Sequence, residues 1–175
     1  MSAAEPPLRN DLMPELHHTG LVVANLSQSM RSFSKVLGRD DFWTLDHMDI
    51  PPSQQTDDQV FQAGAVSIAM AWMGNTLLEL ICPLDEQTLF HQFLLERGEG
   101  LHHLGFWVRG MGAHVRRLEA EGMTRIAGDD STAHGTGGWA YMSGDATSGA
   151  VVELIDRNEA SEAWFDDIYR ALGRA

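Results

Sequence analysis

Two histidine pairs and two glutamates occupy matching places in the two halves of this 175-residue chain. The first half contains HHTG, which begins at His17, and GNTLLELICP, which carries Glu79. The second half contains HHLG, which begins at His102, and SGAVVELIDR, which carries Glu153. Imidazole nitrogens and carboxylate oxygens are common ligands of divalent metal ions. If a pseudo-twofold axis relates the halves, these residues converge near the axis, and the repeat predicts a divalent metal site there.

Each of the two glutamates lies within an apolar run. Strand alternation places Glu79 on the same face as Leu77, with Leu78 and Leu80 on the other face. A carboxylate in such a run either faces water from an edge strand or meets a cation or a metal ion. The same pattern recurs around Glu153, and this recurrence favours the metal site over a solvated edge.

The choice of ligand within each histidine pair stays open at this point. Adjacent residues of a strand point to opposite faces, so we expect only one of His17 and His18, and one of His102 and His103, to face the site. The other histidines have no counterpart in the opposite half: His47, His91, His114 and His134. Of these, we expect His91 and His114 on helices or at the surface, whereas His134 falls in a glycine-rich loop.

The elements around these residues also repeat, because each half reads as a strand, a helix and several further strands. Apolar spacing predicts a helix that ends at Gly38 in the first half and one that ends at Gly122 in the second. The predicted organisation is an N-terminal tail (1–14), a first module (15–84), a connecting helix (85–100), a second module (101–157) and a C-terminal helix (158–175). We expect the last helix to cover a core edge or a dimer contact.

Composition excludes several classes of partner. The 12 Lys and Arg residues stand against 25 Asp and Glu, giving a net charge of −13, and no basic run occurs. Nucleic acid and anionic membrane surfaces are therefore not expected partners. The chain has one cysteine, Cys82, no apolar run long enough to span a bilayer and no secretory signal at its start. We expect a cytoplasmic protein, acting as a homodimer.

These elements resemble the vicinal oxygen chelate superfamily, whose domains pair two βαβββ modules around a metal ion. Within it the chain is most similar to the methylmalonyl-CoA epimerases, over about residues 15 to 156. The similar segments are HHTGLVVANL, GNTLLELICPL, EGLHHLGFWV, AHGTGG and TSGAVVELID. The resemblance implies an α+β fold in which two βαβββ modules of one chain form a curved mixed sheet around the metal.

The resemblance also implies roles for individual residues. It selects His18, Glu79, His103 and Glu153 as the ligands of one divalent ion, with Co, Ni, Mn, Zn and Fe as candidates. In the epimerases, the residue at the Glu153 position also takes part in proton transfer. The resemblance therefore implies both a ligand role and a catalytic role for Glu153.

One stretch departs from the epimerase pattern. The epimerases carry a glutamate pair shortly before the third strand, whereas this chain reads QQTDDQVFQAG and aligns Asp58 and Gln59 with that pair. Asp58 is shorter than glutamate by one methylene, and proton abstraction tolerates little misplacement. Asp58 is the candidate second base and Asp57 the next candidate; the alternative is that both aspartates only cap a polar loop.

The predicted function is that of a metal-dependent epimerase or isomerase that forms an enolate of a small-molecule carbonyl substrate. The phosphates of a CoA thioester usually meet Lys or Arg, so the single Lys and the charge of −13 favour an uncharged or weakly charged organic substrate over CoA. A glyoxalase I-like lyase and a ring-cleaving dioxygenase are alternatives from the same superfamily. An alternative of another class is a non-catalytic drug-binding protein, whose acidic surface would attract a cationic drug.

Overall fold

The computed structural model describes residues 14–50, 52–56, 59–61, 63–130, 137–147 and 150–174. The strands are β1 (Glu15–Val22), β2 (Trp43–Ile50), β3 (Ser53–Thr56), β4 (Gln59–Phe61), β5 (Gly64–Met73), β6 (Thr76–Pro83), β7 (Gly100–Val108), β8 (Thr124–Asp129), β9 (Trp139–Ser143) and β10 (Val151–Asp156). The helices are α1 (Leu26–Leu37), α2 (Leu89–Arg97), α3 (Met111–Ala120) and α4 (Glu159–Ala171). Among these, no helix is both long enough and apolar enough to cross a membrane.

Eight of the strands form one mixed sheet in the order β2-β5-β6-β1-β7-β10-β9-β8. The β1–β6 and β7–β10 pairs are parallel and all other neighbours are antiparallel. On either side of the central β1–β7 pair the strands follow the same order, so the sequence repeat is a structural repeat. The predicted α+β fold of two βαβββ units that form a mixed sheet is confirmed.

A hairpin of β3 and β4 is inserted into the first unit and has no counterpart in the second. β3 follows β2, at one edge of the sheet, yet its backbone lies against β8, at the opposite edge. The two edges can share this neighbour only if the sheet curls. The sheet is therefore curled and has a concave face.

Helices pack on both faces of the sheet. Because side chains alternate along each strand, the residues of one strand contact different helices on the two faces. On the outer face, Leu78 and Leu80 of β6 pack against α1, and Leu154 of β10 packs against α3. On the concave face, Leu77 of β6 and Ile155 of β10 pack against α4. Glu79 lies two residues from Leu77, and Glu153 lies two residues from Ile155. Strand alternation therefore points both glutamates to the same concave face, as predicted.

Local signals fix the helix ends. Asn25 begins α1 by accepting a hydrogen bond from the backbone N–H of Gln28, and Gly38 ends it with a φ of 67°. The predicted end of α1 at Gly38 is confirmed. Asn158 begins α4 in a reciprocal arrangement with Ser161, in which each side chain accepts from the backbone of the other. This capping box fixes where α4 leaves the end of β10.

Candidate metal centre and cavity

The four predicted ligands converge on the concave face at the centre of the sheet. His18 of β1 and His103 of β7 bring their Nε2 atoms to 2.8 Å from each other. Glu153 Oε2 lies 2.9 Å from His18 Nε2 and 3.3 Å from His103 Nε2. Glu79 Oε2 lies 3.5 Å and 3.3 Å from the same two nitrogens. All four residues are buried.

Two glycines make room for the histidine rings. His18 pairs with Gly105 across the β1–β7 ladder, and Gly20 pairs with His103. A Cβ atom at Gly105 would lie 2.3 Å from Cε1 of His18, and one at Gly20 would lie 2.0 Å from Cε1 of His103. Each ring therefore lies across the backbone of the glycine opposite it. This close approach explains the glycine two residues after the second histidine in both HHTG and HHLG.

The first histidine of each pair occupies a β-bulge. The β1–β7 register skips His17, between Leu16 and His18, and it also skips His102. A bulge breaks strict alternation. As a result, His17 Nδ1 lies 2.9 Å from His18 Nδ1 and His102 Nδ1 lies 3.0 Å from His103 Nδ1. Strict alternation therefore fails, because His17 and His102 turn to the same side of the sheet as their neighbours and lie behind them. Only one histidine of each pair, His18 or His103, brings a nitrogen to the centre, as expected.

These contacts determine which nitrogens carry protons if the Nε2 atoms are to bind a cation. An Nε2 atom with a free lone pair requires His18 to carry its proton on Nδ1 and to donate it to His17 Nδ1. His17 then carries its own proton on Nε2, which lies 2.7 Å from the hydroxyl of Tyr169 on α4. His102 and His103 meet through Nδ1 in the same way. Each candidate ligand is thus held in one tautomer by its neighbour.

Burial and neighbouring charges shift the pKa values of the groups at the centre. Burial, together with the adjacent His18, lowers the pKa of His17 to about 2, and burial beside His103 also lowers the pKa of His102, so both stay neutral. Burial lowers the pKa of His103 as well, but the carboxylates of Glu153 and Glu79 outweigh it and raise the pKa to about 9. Burial raises the pKa of Glu153, and His103 and His18 more than offset this, so that its pKa lies well below the usual value.

The donor set fits a divalent metal ion. The ligand atoms of His18, Glu79 and His103 all lie within 4.8 Å of one another. Ligands about 2.1 Å from a common ion are separated by roughly 3.0 to 3.4 Å along the edges of a tetrahedron or octahedron. The contacts of 2.8 to 3.5 Å among the four residues are close to that spacing. Glu153 Oε2 is buried without a hydrogen bond of good geometry, and such an orphaned anionic oxygen needs a cation.

The centre lies at the wall of a cavity of about 220 Å³. Its described lining includes His18, Glu79 and Glu153 of the centre and two further carboxylates, Asp49 and Asp129. The other described lining residues are aliphatic or aromatic: Met48, Ile50, Val66, Ile68, Met70, Ile81, Phe90, Trp139, Tyr141, Ile155, Trp164 and Phe165. The C-terminal helix covers the core, as expected, and it also supplies Trp164 and Phe165 to the cavity. The arrangement presents a candidate metal centre to a small, mostly apolar space.

A protein-family match identifies the superfamily of the chain. Residues 17–142 match the model of the glyoxalase/bleomycin resistance protein/dioxygenase superfamily. The chain belongs to this superfamily. The resemblance predicted from the sequence is thereby confirmed, and membership of the glyoxalase/bleomycin resistance/dioxygenase superfamily points to a small-molecule ligand. The buried His18, Glu79 and His103 group could hold a metal ion, as in enzymes of this superfamily.

Individual proteins are similar to the chain at lower levels of identity. The protein YqjC of Bacillus subtilis (strain 168) is 29% identical over 146 residues, which cover 82% of this chain and 93% of that protein. The crystal structure of methylmalonyl-CoA epimerase from Mycobacterium tuberculosis is similar with a TM-score of 0.59 and 24% identity, covering 89% of this chain and 96% of the other. A methylmalonyl-CoA epimerase in complex with methylmalonyl-CoA and NH4+ gives 0.57 and 17%, covering 84% and 96%. At these identities the structures establish the shared fold alone.

The remaining predicted residues are spread over the chain. Asp57, Asp58 and His134 fall outside the residues that the structure describes, so the second base stays a prediction. His47 is exposed on β2, and His91 and His114 lie on α2 and α3, as expected for them; His114 is nonetheless buried. Sequence reasoning missed the contact of Tyr169 with His17, for which the chain carries no local signal.

Proposed function

We propose that the protein is a metal-dependent epimerase or isomerase that moves a proton at the carbon next to a carbonyl group. The observation that supports this is the position of Glu153, whose buried carboxylate contacts both histidines and also lines the cavity. The carboxylate of Glu153 could thus contact both a metal ion and a molecule in the cavity. His18, Glu79, His103 and Glu153 would hold the ion.

A divalent ion bound at this centre supplies Lewis-acid stabilisation of the negative charge that develops on a carbonyl oxygen when the adjacent carbon loses a proton. Glu153 accepts that proton from the substrate carbon on its side of the cavity. The two neutral histidines behind the candidate ligands, His17 and His102, keep the rings of His18 and His103 oriented.

Delivery of a different proton to the same carbon from the opposite face gives epimerisation. This outcome requires a second acid that donates its own proton there, while Glu153 keeps the proton it removed and later releases it to solvent. Asp58 is our candidate for that role of second acid. Return of the removed proton to a different atom of the enolate gives isomerisation and needs Glu153 alone. Asp58→Asn therefore distinguishes the two: we expect it to abolish epimerisation while hydrogen exchange with solvent at the substrate carbon, catalysed by Glu153, persists.

The deciding experiment compares Glu153→Gln with the wild type. We expect the variant to lose turnover by at least about a hundredfold, because the amide cannot accept the proton, while much of the metal affinity remains through the other three ligands. Metal binding and incorporation of solvent deuterium into carbonyl substrates are measured together on each protein. Glu119→Gln, on the exposed side of α3, is the matched control and should leave both unchanged.

Two results would count against the proposal. Full deuterium incorporation by Glu153→Gln would remove the proton-transfer role of this residue. Consumption of oxygen during turnover would instead assign the centre to ring-cleaving dioxygenase chemistry, in which two histidines and one carboxylate hold Fe(II).

A further inference from the structure

The described wall of the cavity contains carboxylates but no cationic side chain. Glu79 and Glu153 belong to the metal centre, and Asp49 and Asp129 add two acids away from it. All other described lining residues except His18 are apolar or aromatic. A phosphate or carboxylate group on a ligand would therefore meet no partner of opposite charge among the described lining residues.

No described Lys or Arg lines the cavity, and five of the described arginines have partners outside it. Their partners are Asp41 for Arg39, Asp130 for Arg125, Glu162 for Arg157, Asp167 for Arg170, and the ring of Trp72 for Arg174. The positions between 14 and 174 that the structure does not describe are 51, 57–58, 62, 131–136 and 148–149. By sequence, none of these positions is Lys or Arg. These positions therefore cannot supply a Lys or Arg side chain to the cavity either.

Charge at the metal centre does not compensate for this. Two neutral imidazoles, two carboxylates and one divalent ion sum to no net charge, so the loaded centre offers no excess positive charge to the far end of a ligand. Burying an anionic group without a partner is strongly unfavourable. The rings of Phe90, Trp139, Tyr141, Trp164 and Phe165 instead favour an apolar body, and they tolerate a cation.

We propose that the substrate of this site is an uncharged, largely apolar carbonyl compound with no phosphate or carboxylate tail. The proposal rests on the proposed function, because it assumes that the loaded centre binds the oxygens of a carbonyl substrate. A cavity of about 150 Å³ holds a benzene ring. The 220 Å³ here accommodates one ring with small substituents. CoA thioesters are excluded on the same grounds as other anionic ligands.

The test uses the full chain loaded with Co(II) and three aromatic hydroxamates with different tails. Benzohydroxamate, its para-carboxy derivative and its para-trimethylammonio derivative present the same two adjacent oxygens to the metal and differ only in the charge at the far end of the ring. Dissociation constants are measured by calorimetry, with acetyl-CoA as a further anionic probe. We expect the neutral and cationic compounds to bind at least about tenfold more tightly than the carboxylate, and acetyl-CoA not to bind at millimolar concentration.

Equal or tighter binding of the para-carboxy derivative, or binding of acetyl-CoA, would overturn the proposal while leaving the metal centre intact. Failure of all three hydroxamates to bind a chain that demonstrably holds Co(II) would instead overturn the proposed function, and this proposal with it. The two failures are therefore distinguishable in one experiment.

A pair of variants tests whether wall charge causes the selectivity. Met48→Lys adds an ammonium group to the cavity wall, whereas Met73→Lys adds one at the exposed end of β5, outside the lining. We expect Met48→Lys to raise the affinity for the para-carboxy derivative at least about tenfold without improving that for benzohydroxamate. Met73→Lys should bind all three compounds like the wild type. An unchanged preference in Met48→Lys would contradict the assigned cause.

Discussion

Replacing Gly105 with alanine puts a methyl group into the space that the ring of His18 occupies. The new Cβ would lie 2.3 Å from Cε1, 2.5 Å from Nε2 and 2.6 Å from Nδ1 of that ring. Carbon atoms pack at about 3.5 Å or more, so the ring must retreat by roughly 1 Å. It cannot do so and keep both its 2.9 Å contacts, with Glu153 on one side and His17 on the other.

The magnitude follows from these contacts. Disturbing the shell that orients a ligand costs up to about a hundredfold in metal affinity, and displacing the ligand itself should cost at least that. A hundredfold change in affinity corresponds to about 2.7 kcal/mol. Overpacking lowers the free energy of unfolding of the metal-free protein by a further ~1 to 3 kcal/mol. Gly20→Ala, whose Cβ would lie 2.0 Å from Cε1 of His103, should behave at least as severely.

The assay is competition for Co(II) or Zn(II) against a chromophoric chelator, combined with denaturant unfolding in the presence and absence of metal. Gly100→Ala is the matched control, because Gly100 lies on the same strand and a Cβ atom added there would have no described neighbour within 4 Å beyond the adjacent residues of the chain. The control should keep wild-type metal affinity and stability. If Gly105→Ala binds metal as tightly as Gly100→Ala does, the ring of His18 is not held against that glycine and the reasoning is refuted.

Three further predictions concern α4 and a buried histidine. Asn158→Ala removes the capping box of α4 and should lower the free energy of unfolding by about 1 kcal/mol in denaturant titrations. Tyr169→Phe removes the hydroxyl that meets His17 Nε2, so we expect metal affinity to fall by up to about tenfold in the chelator assay; no change would show that His17 needs no support from α4. Burial lowers the pKa of His114, so its neutral form stabilises the fold above the ordinary histidine pKa of 6.5 and this contribution is lost as pH falls below it. His114→Gln should therefore lose less stability than the wild type between pH ~7.5 and ~5.5, measured as the difference in unfolding free energy at the two values.

Local patterns in the chain were sufficient for much of the fold. The end of α1 at Gly38 followed from apolar spacing and a glycine that accepts a positive φ. The faces of Glu79 and Glu153 followed from alternation within single strands, which depends only on the extended backbone. The two βαβββ modules that share one mixed sheet followed from the repeat through the family resemblance, whereas the order of the strands came from the structure. These features are local or duplicated, so neighbouring residues are enough to predict them.

The histidine pairs show where local rules stop. Alternation assigns His17 and His18 to opposite faces, and this was wrong because the register of β1 against β7 slips at His17. A bulge is a property of two paired strands that lie far apart in the chain, so no window around His17 reveals it. The histidine pair in each half did indicate a site. The side of the sheet to which each histidine points, however, depends on the pairing of β1 with β7.

Residue types and their order were enough to predict a candidate metal site made of two histidine pairs and two glutamates, because ligand chemistry is a property of residue types. The choice of His18 and His103 within those pairs came from the family resemblance. The surroundings of these ligands depend on the packed domain. The net charge of −13 did not show whether a cation lines the cavity, since that depends on where each side chain folds. Packing also brought α4 to the concave face, where Tyr169 meets His17 across 152 positions of chain. Such contacts are set over the whole domain, which no local pattern encodes.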